Sequence, residues 1–362
     1  MAHASIPDVV NDPASHCTRS DSSWSHVRSA FESACEAESV PPPAHDLLLA
    51  GRHVRVRCAG ARLFEQIGRA FSHRLVPTFD TKPALTIDLW DVAHTGVPAP
   101  GGLDDTAPGM NGVIEVGAGG RVVTHRRRRT TGWLNRDAGE LIAVFDSAEH
   151  VPLFDRGKPL HFLLGVWHLD QDVPLVHAGV VGRHGRGVLF PGKGGTGKST
   201  AALSCALAGF EYVGDDTVGL ERLDNKAVRA HSVYCSANVA PHHLERFPLL
   251  APHAIPGRRV DEDKHLVLLP DLLPRPLARV MDLSAIVIPR IVPRDGGIVP
   301  ASRADVLKAL APSTLLFFPG WGAPHLNFLA SVVERLPGFW LEMGPDISTI
   351  PHHVAQLLEQ LR

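Results

Sequence analysis

The run Gly192-Lys193-Gly194-Gly195-Thr196-Gly197-Lys198-Ser199 narrows the fold of this chain more than any other segment. Strand-forming Val188-Leu189-Phe190 leads in, and helix-forming Ser199-Thr200-Ala201-Ala202-Leu203 leads out. A strand, a glycine-rich turn and a helix in that order aim backbone N–H groups and the positive end of a helix dipole at a polyphosphate. In such a loop Lys198 reaches the β- and γ-phosphates, and the Ser199 hydroxyl ligates Mg²⁺. The expected ligand is a nucleoside triphosphate, ATP with Mg²⁺, held by Gly192, Lys193, Gly194, Gly195, Thr196, Gly197, Lys198, Ser199 and Thr200.

The loop alone does not separate a kinase from a switch or a motor. An acid pair, Asp215-Asp216, follows Lys198 by 17 and 18 residues. Only the loop helix, stopped by Gly209, and the strand Glu211-Tyr212-Val213 intervene, so the pair returns beside the nucleotide. One carboxylate can hold Mg²⁺ while the other takes a proton from an attacking hydroxyl. Adjacent residues at a strand end point opposite ways, which favours such a division. We expect Asp215 to be the base and Asp216 to join Ser199 at the metal. His177 lies on the strand before the loop strand. If the two pair as a hairpin, its ring approaches the phosphates and can orient the base.

Composition excludes several classes. The chain has 362 residues and a net charge of −2, so no global field favours nucleic acid or an anionic membrane. A hydrophobic content of 44% is that of a globular protein. The apolar run at His161–His168 is too short to span a bilayer, and the first residues lack a signal-peptide pattern. Cys17, Cys35, Cys58, Cys205 and Cys235 are odd in number and form no Cys-x-x-Cys pair, which fits reduced thiols and a cytoplasmic location. The 21 histidines show no metal-ligand spacing.

Three regimes divide the chain. Residues 1–45, rich in Ser, Ala, His and Pro, read as a mobile arm in which Trp24–Ala37 can form a short helix. Residues 46–150 read as a small α+β domain, with a helix on Leu63, Phe64, Ile67 and Phe71 and strands at His53–Cys58, Ala84–Trp90, Val113–Val116, Arg121–Thr124 and Leu141–Phe145. Arg126-Arg127-Arg128-Arg129 reads as a solvated loop, with a docking patch for an acidic peptide or polyphosphate as the sharper alternative. Residues 151–362 carry the phosphate loop. They end in a helix whose Val354, Leu357, Leu358 and Leu361 share a face and whose first turn holds Pro351.

The segment Val176–Leu220 resembles the catalytic domain of the HPr serine kinase family in its histidine-containing strand, phosphate loop, glycine-ended helix and Asp-Asp pair. Its nucleotide site is also similar to that of phosphoenolpyruvate carboxykinases, which share the fold. The overall likeness points toward HPr-kinase-related proteins of bacterial peptide-modifying clusters, lasso-peptide kinases among them. The resemblance implies an α/β chain, a P-loop kinase domain of the HPr kinase and carboxykinase type preceded by a small α+β domain that presents substrate. It implies His177, Lys198 and Asp215 in catalysis, Ser199 and Asp216 at the metal, and a serine of a peptide or small protein as acceptor, with homo-oligomerisation open. Arg258, Arg259 or Lys264 would stabilise the transferring phosphoryl group. The Glu-Ile-Arg-Gly signature of HPr kinases has no counterpart here, so neither HPr as acceptor nor phosphorolysis is implied. A small-molecule hydroxyl kinase would use the same residues. Lys193 also fits the signature lysine of nucleotide-gated switch ATPases, although their loop opens the chain and their next acids are spaced Asp-x-Asp.

Overall fold

The computed structural model describes residues 17–103, 112–257, 264–317 and 322–361. They form a mixed α/β protein built on two large sheets. The first region carries α1 (Cys17–Glu36), β1 (Ala44–Leu49), β2 (Arg52–Ala59), α2 (Ala61–Ile67), β3 (Leu75–Val76), β4 (Leu85–Asp91), α3 (Val92–Thr95), β5 (Val113–Val116), β6 (Val122–Arg127), β7 (Thr130–Asn135) and β8 (Glu140–Phe145). Two helices follow, α4 (Leu153–Gly157) and α5 (His161–Asp170). The eight strands lie in the order β3-β1-β2-β4-β8-β7-β6-β5, with β4 parallel to both β2 and β8.

The remainder carries β9 (Leu175–Val176), β10 (Ala178–Arg183), β11 (Arg186–Pro191), α6 (Lys198–Leu207), β12 (Glu211–Gly214), β13 (Val218–Arg222) and β14 (Val228–Ser232). Next come β15 (Ser236–Val239), α7 (Pro241–Leu244), β16 (His265–Leu268), β17 (Val280–Ile291) and β18 (Gly297–Pro300). The chain closes with α8 (Arg303–Phe317), α9 (Gly322–Arg335), β19 (Gly338–Met343) and α10 (Ile350–Gln360). The second sheet has nine strands, and its order β12-β10-β11-β17 puts the loop strand β11 at the interior beside parallel β17. Helices α6 and α10 cover one face and α8 and α9 the other, so β11 is buried on both sides. That double burial is why Val188-Leu189-Phe190 reads as a continuous apolar run instead of alternating.

The helix allowed at Trp24–Ala37 is present and begins earlier: residues 17–36 form α1, in which Val27, Phe31 and Ala34 fall on one helical stripe. That stripe is buried against Ala59, Trp90 and Val144 of the first sheet, and Arg57 stacks over the Phe31 ring at 5.0 Å. Residues 1–16 of the expected arm lie outside the described residues. One core includes residues on both sides of position 150. Phe162, Leu163, Val166 and Trp167 of α5 belong to the core of the first sheet, together with Val233 and Tyr234 from beyond β14.

Burial of Phe31 implies a measurable contribution. Phe31→Ala is expected to lower unfolding free energy by about 3–5 kcal/mol, read by urea denaturation. An unchanged midpoint would show that α1 does not pack on the sheet.

Candidate active site

Strands β10 and β11 pair as the expected hairpin, Ala178 opposite Pro191, and β11 delivers the chain into the glycine-rich loop. Gly197 has φ of +98°, and a Cβ there would stand 2.0 Å from Met343 Cε, so only glycine fits the turn that starts α6. No side chain caps the N-terminus of α6, which leaves its first N–H groups for an anion. The Thr196 hydroxyl donates to the Lys193 carbonyl at 2.9 Å, and the Lys198 ammonium donates to the same carbonyl at 3.2 Å. Lys198 is buried, and that burial lowers its pKa to about 8 against the opposing pull of Asp215. Lys193, Gly194 and Gly195 are exposed along the loop's outer rim.

Strand β12 pairs with β10, Gly214 opposite Val180, which sets the acid pair beside the loop helix. Asp215 is 3% exposed. It fits because Gly179 of β10 has no side chain; a Cβ there would come within 3.3 Å of Asp215 Oδ1. Neither buried oxygen of Asp215 has a hydrogen bond of ordinary geometry among the described residues. Burial raises its pKa, while the nearby Ser199 hydroxyl and then Lys198, Lys158 and Lys264 pull it down. A buried carboxylate left this way can accept a cation as its partner.

Asp216 faces elsewhere. Its φ is +72°, a left-handed conformation uncommon outside glycine. One carboxylate oxygen lies 3.1 Å from His177 Nδ1 and the other is ion-paired with Lys158. His177 sits in the break between β9 and β10, and its backbone N–H donates to the Thr314 hydroxyl of α8 at 3.1 Å. Burial first, then Lys198 and Lys158, lower its pKa to about 2, so the ring is neutral at ordinary pH.

The structure thus gathers Lys198, Ser199, Asp215, Asp216 and His177 at the mouth of the loop. It sets Asp215, the expected base, against Ser199, and Asp216, the expected metal ligand, against His177. Lys264 is described and exposed, close enough for its charge to lower the pKa of Lys158 and Lys198. Arg258 and Arg259 lie outside the described residues. Of the four arginines read as a solvated loop, Arg126 and Arg127 complete β6. Arg127 is ion-paired with buried Asp155 and stacks on Phe154 at 4.8 Å. Sequence reasoning missed Lys158, whose pKa burial lowers to about 7. It belongs to no motif; a lone lysine in Arg156-Gly157-Lys158-Pro159 looks like a solvated turn.

Among the described residues no cluster of three His, Cys, Asp or Glu side chains forms a metal cage. Mg²⁺ does not need one, since it takes one or two protein oxygens and completes its shell with phosphates and water. The bare Asp215 carboxylate beside the Ser199 hydroxyl fits that donor set. No described helix is long and apolar enough to cross a membrane.

No family model and no curated protein matches the chain. Among solved structures it is similar to the Hpr(Ser) kinase/phosphatase from Coxiella burnetii, at 13% identity and a TM-score of 0.28, over 51% of this chain and 94% of that one.

Proposed function

We propose that this chain is a Mg²⁺- and ATP-dependent kinase that transfers the γ-phosphoryl group to a hydroxyl, with a serine of a peptide or small protein as the favoured acceptor. The observation that carries the reading is the separation of the two acids: Asp215 bare and buried beside Ser199 and Lys198, Asp216 held apart on His177 and Lys158. A second carboxylate kept apart from the metal oxygens is what proton removal from an acceptor hydroxyl requires. The serine acceptor rests on the resemblance of Val176–Leu220 to HPr serine kinases.

Ser199 and Asp215 would hold Mg²⁺, which when bound supplies charge neutralisation across the β- and γ-phosphate oxygens. Loop amides and Lys198 orient the phosphates. Asp216 takes the proton of the acceptor hydroxyl as its oxygen forms the new P–O bond, and the bond to the β-phosphate oxygen breaks, releasing ADP. His177 holds Asp216 in orientation.

The test is label transfer from γ-labelled ATP to a panel of serine-containing peptides, small proteins and free serine, with Lys198→Ala as control. Label on one acceptor, absent in the control, is expected; binding of ATP with no labelled acceptor counts against the kinase. The exposed position of Lys193 suits a second reading, a switch that reaches across a dimer interface. In the same assay Lys193→Ala would disable such a switch and only weaken a kinase.

A further inference from the structure

Lys158 lies before the phosphate loop in the chain, directly after α4. It caps α4, its backbone N–H donating to Phe154 O at 2.8 Å. Helix α4 is fixed in turn: the Ser236 hydroxyl of β15 donates to the Gly157 carbonyl at 2.6 Å, and the Tyr234 hydroxyl donates to the Pro159 carbonyl at 3.0 Å. Held on both sides, the Lys158 side chain is 2% exposed and runs past the Phe154 ring, 5.4 Å from its centre, to the Asp216 carboxylate. Lysine is almost never buried this far without a specific partner. Asp216 for its part keeps a left-handed backbone that a free aspartate would seldom hold.

We propose that Lys158 is a positioning residue for phosphoryl transfer, fixing the Asp216 carboxylate toward the acceptor and acting through Asp216 and not on the nucleotide. The inference rests on the kinase reading above. It gives α4 a part in catalysis: the helix carries into the site a residue that the loop and the acid pair do not supply. Lys198 is the lysine that lies along the loop, whereas Lys158 is ion-paired with Asp216, although its charge is also felt by Asp215.

The experiment is a four-protein cycle of wild type, Lys158→Met, Asp216→Asn and the double variant, with Lys158→Arg added. Turnover is measured on the labelled acceptor, or on water where none is labelled, and Mg²⁺-ATP affinity and thermal unfolding are measured alongside. Lys158→Met is expected to lower kcat about 10²-fold with Kd for Mg²⁺-ATP within about threefold, and Lys158→Arg to recover about tenfold of the loss. The double variant is expected to be no slower than Asp216→Asn alone, because a residue acting through another has nothing left to act on. Multiplying losses, or a raised Kd at unchanged kcat, would overturn the proposal and make Lys158 an independent or phosphate-binding residue. Unfolding separates the two possible failures. Asp216→Asn strands a buried ammonium, so the double variant should be more stable than that single one. Additive unfolding shifts would sink the coupling itself, whereas wild type that neither labels an acceptor nor hydrolyses ATP would sink the kinase.

Discussion

Asp216→Asn is expected to slow phosphate transfer by about 10³-fold while leaving Mg²⁺-ATP binding within about threefold of wild type. Asparagine keeps the size and a hydrogen-bonding oxygen, so the contact with His177 survives, while the proton acceptor and the ion-pair partner of Lys158 are lost. Asp215→Asn should fail differently. Its carboxylate is buried beside Ser199 with no hydrogen bond of ordinary geometry, and an amide there brings no charge to the cation. The gain in ATP affinity on adding Mg²⁺ should therefore shrink by about tenfold or more, with turnover falling as a consequence. Calorimetry with and without Mg²⁺, alongside single-turnover transfer, reads both effects. If Asp216→Asn loses the Mg²⁺ dependence and Asp215→Asn keeps it, the roles follow the order expected from sequence, with Asp215 the base.

A second large effect is expected in acid. His161 and His168 are buried and His73 is half-buried, and desolvation lowers His73 and His168 to a pKa of about 3 and His161 well below its ordinary value. A histidine whose folded pKa lies under its unfolded value near 6.5 takes up protons first in the unfolded chain. Its stabilising contribution is present above pH 6.5 and is lost as pH falls from there toward about 3. Each such ring loses about 1.4 kcal/mol per pH unit, so His73 and His168 together lose about 3 kcal/mol per unit and about 4 kcal/mol by pH 5, and His161 adds in the same direction. That is a large part of the stability of an ordinary domain. Asp88 and Asp215, whose pKa values burial raises, oppose the trend as they protonate in the folded state. His73 lies 2.6 Å from the Ser232 hydroxyl across the two sheets, which puts part of the loss at their junction. Urea unfolding between pH 7.5 and 5 measures the slope; a flat midpoint over that range would mean that these rings are charged or hydrated in the folded protein.

What the sequence made legible was local. The hairpin, the loop, its helix and the acid pair are contiguous, and each piece is set by turn chemistry and short periodicity. The amphipathic α10 was readable for the same reason, its Val354, Leu357 and Leu358 all buried. Strand β7, Thr130–Asn135, was not: five of its six residues are buried, it contains Gly132, and it shows no alternation. Such a strand is defined by its neighbours β6 and β8. Helix α5 shares a core with the first sheet. His161 through His168 are all buried, so no polar face tells which sheet it covers. Lys158 could not be read at all, since its partner lies far along the chain and an ion pair leaves no trace in spacing.

The seating of Val233 and Tyr234 in the first sheet's core has a mechanical meaning. The chain passes from the first sheet into the second, returns to plant these two side chains, and departs again through β15. Such a double crossing acts as a stitch where a single linker would act as a hinge. One half cannot swing away without extracting an aromatic ring from packed surroundings. On the proposed kinase reading, an acceptor is admitted by movement of individual loops on a frame that stays rigid.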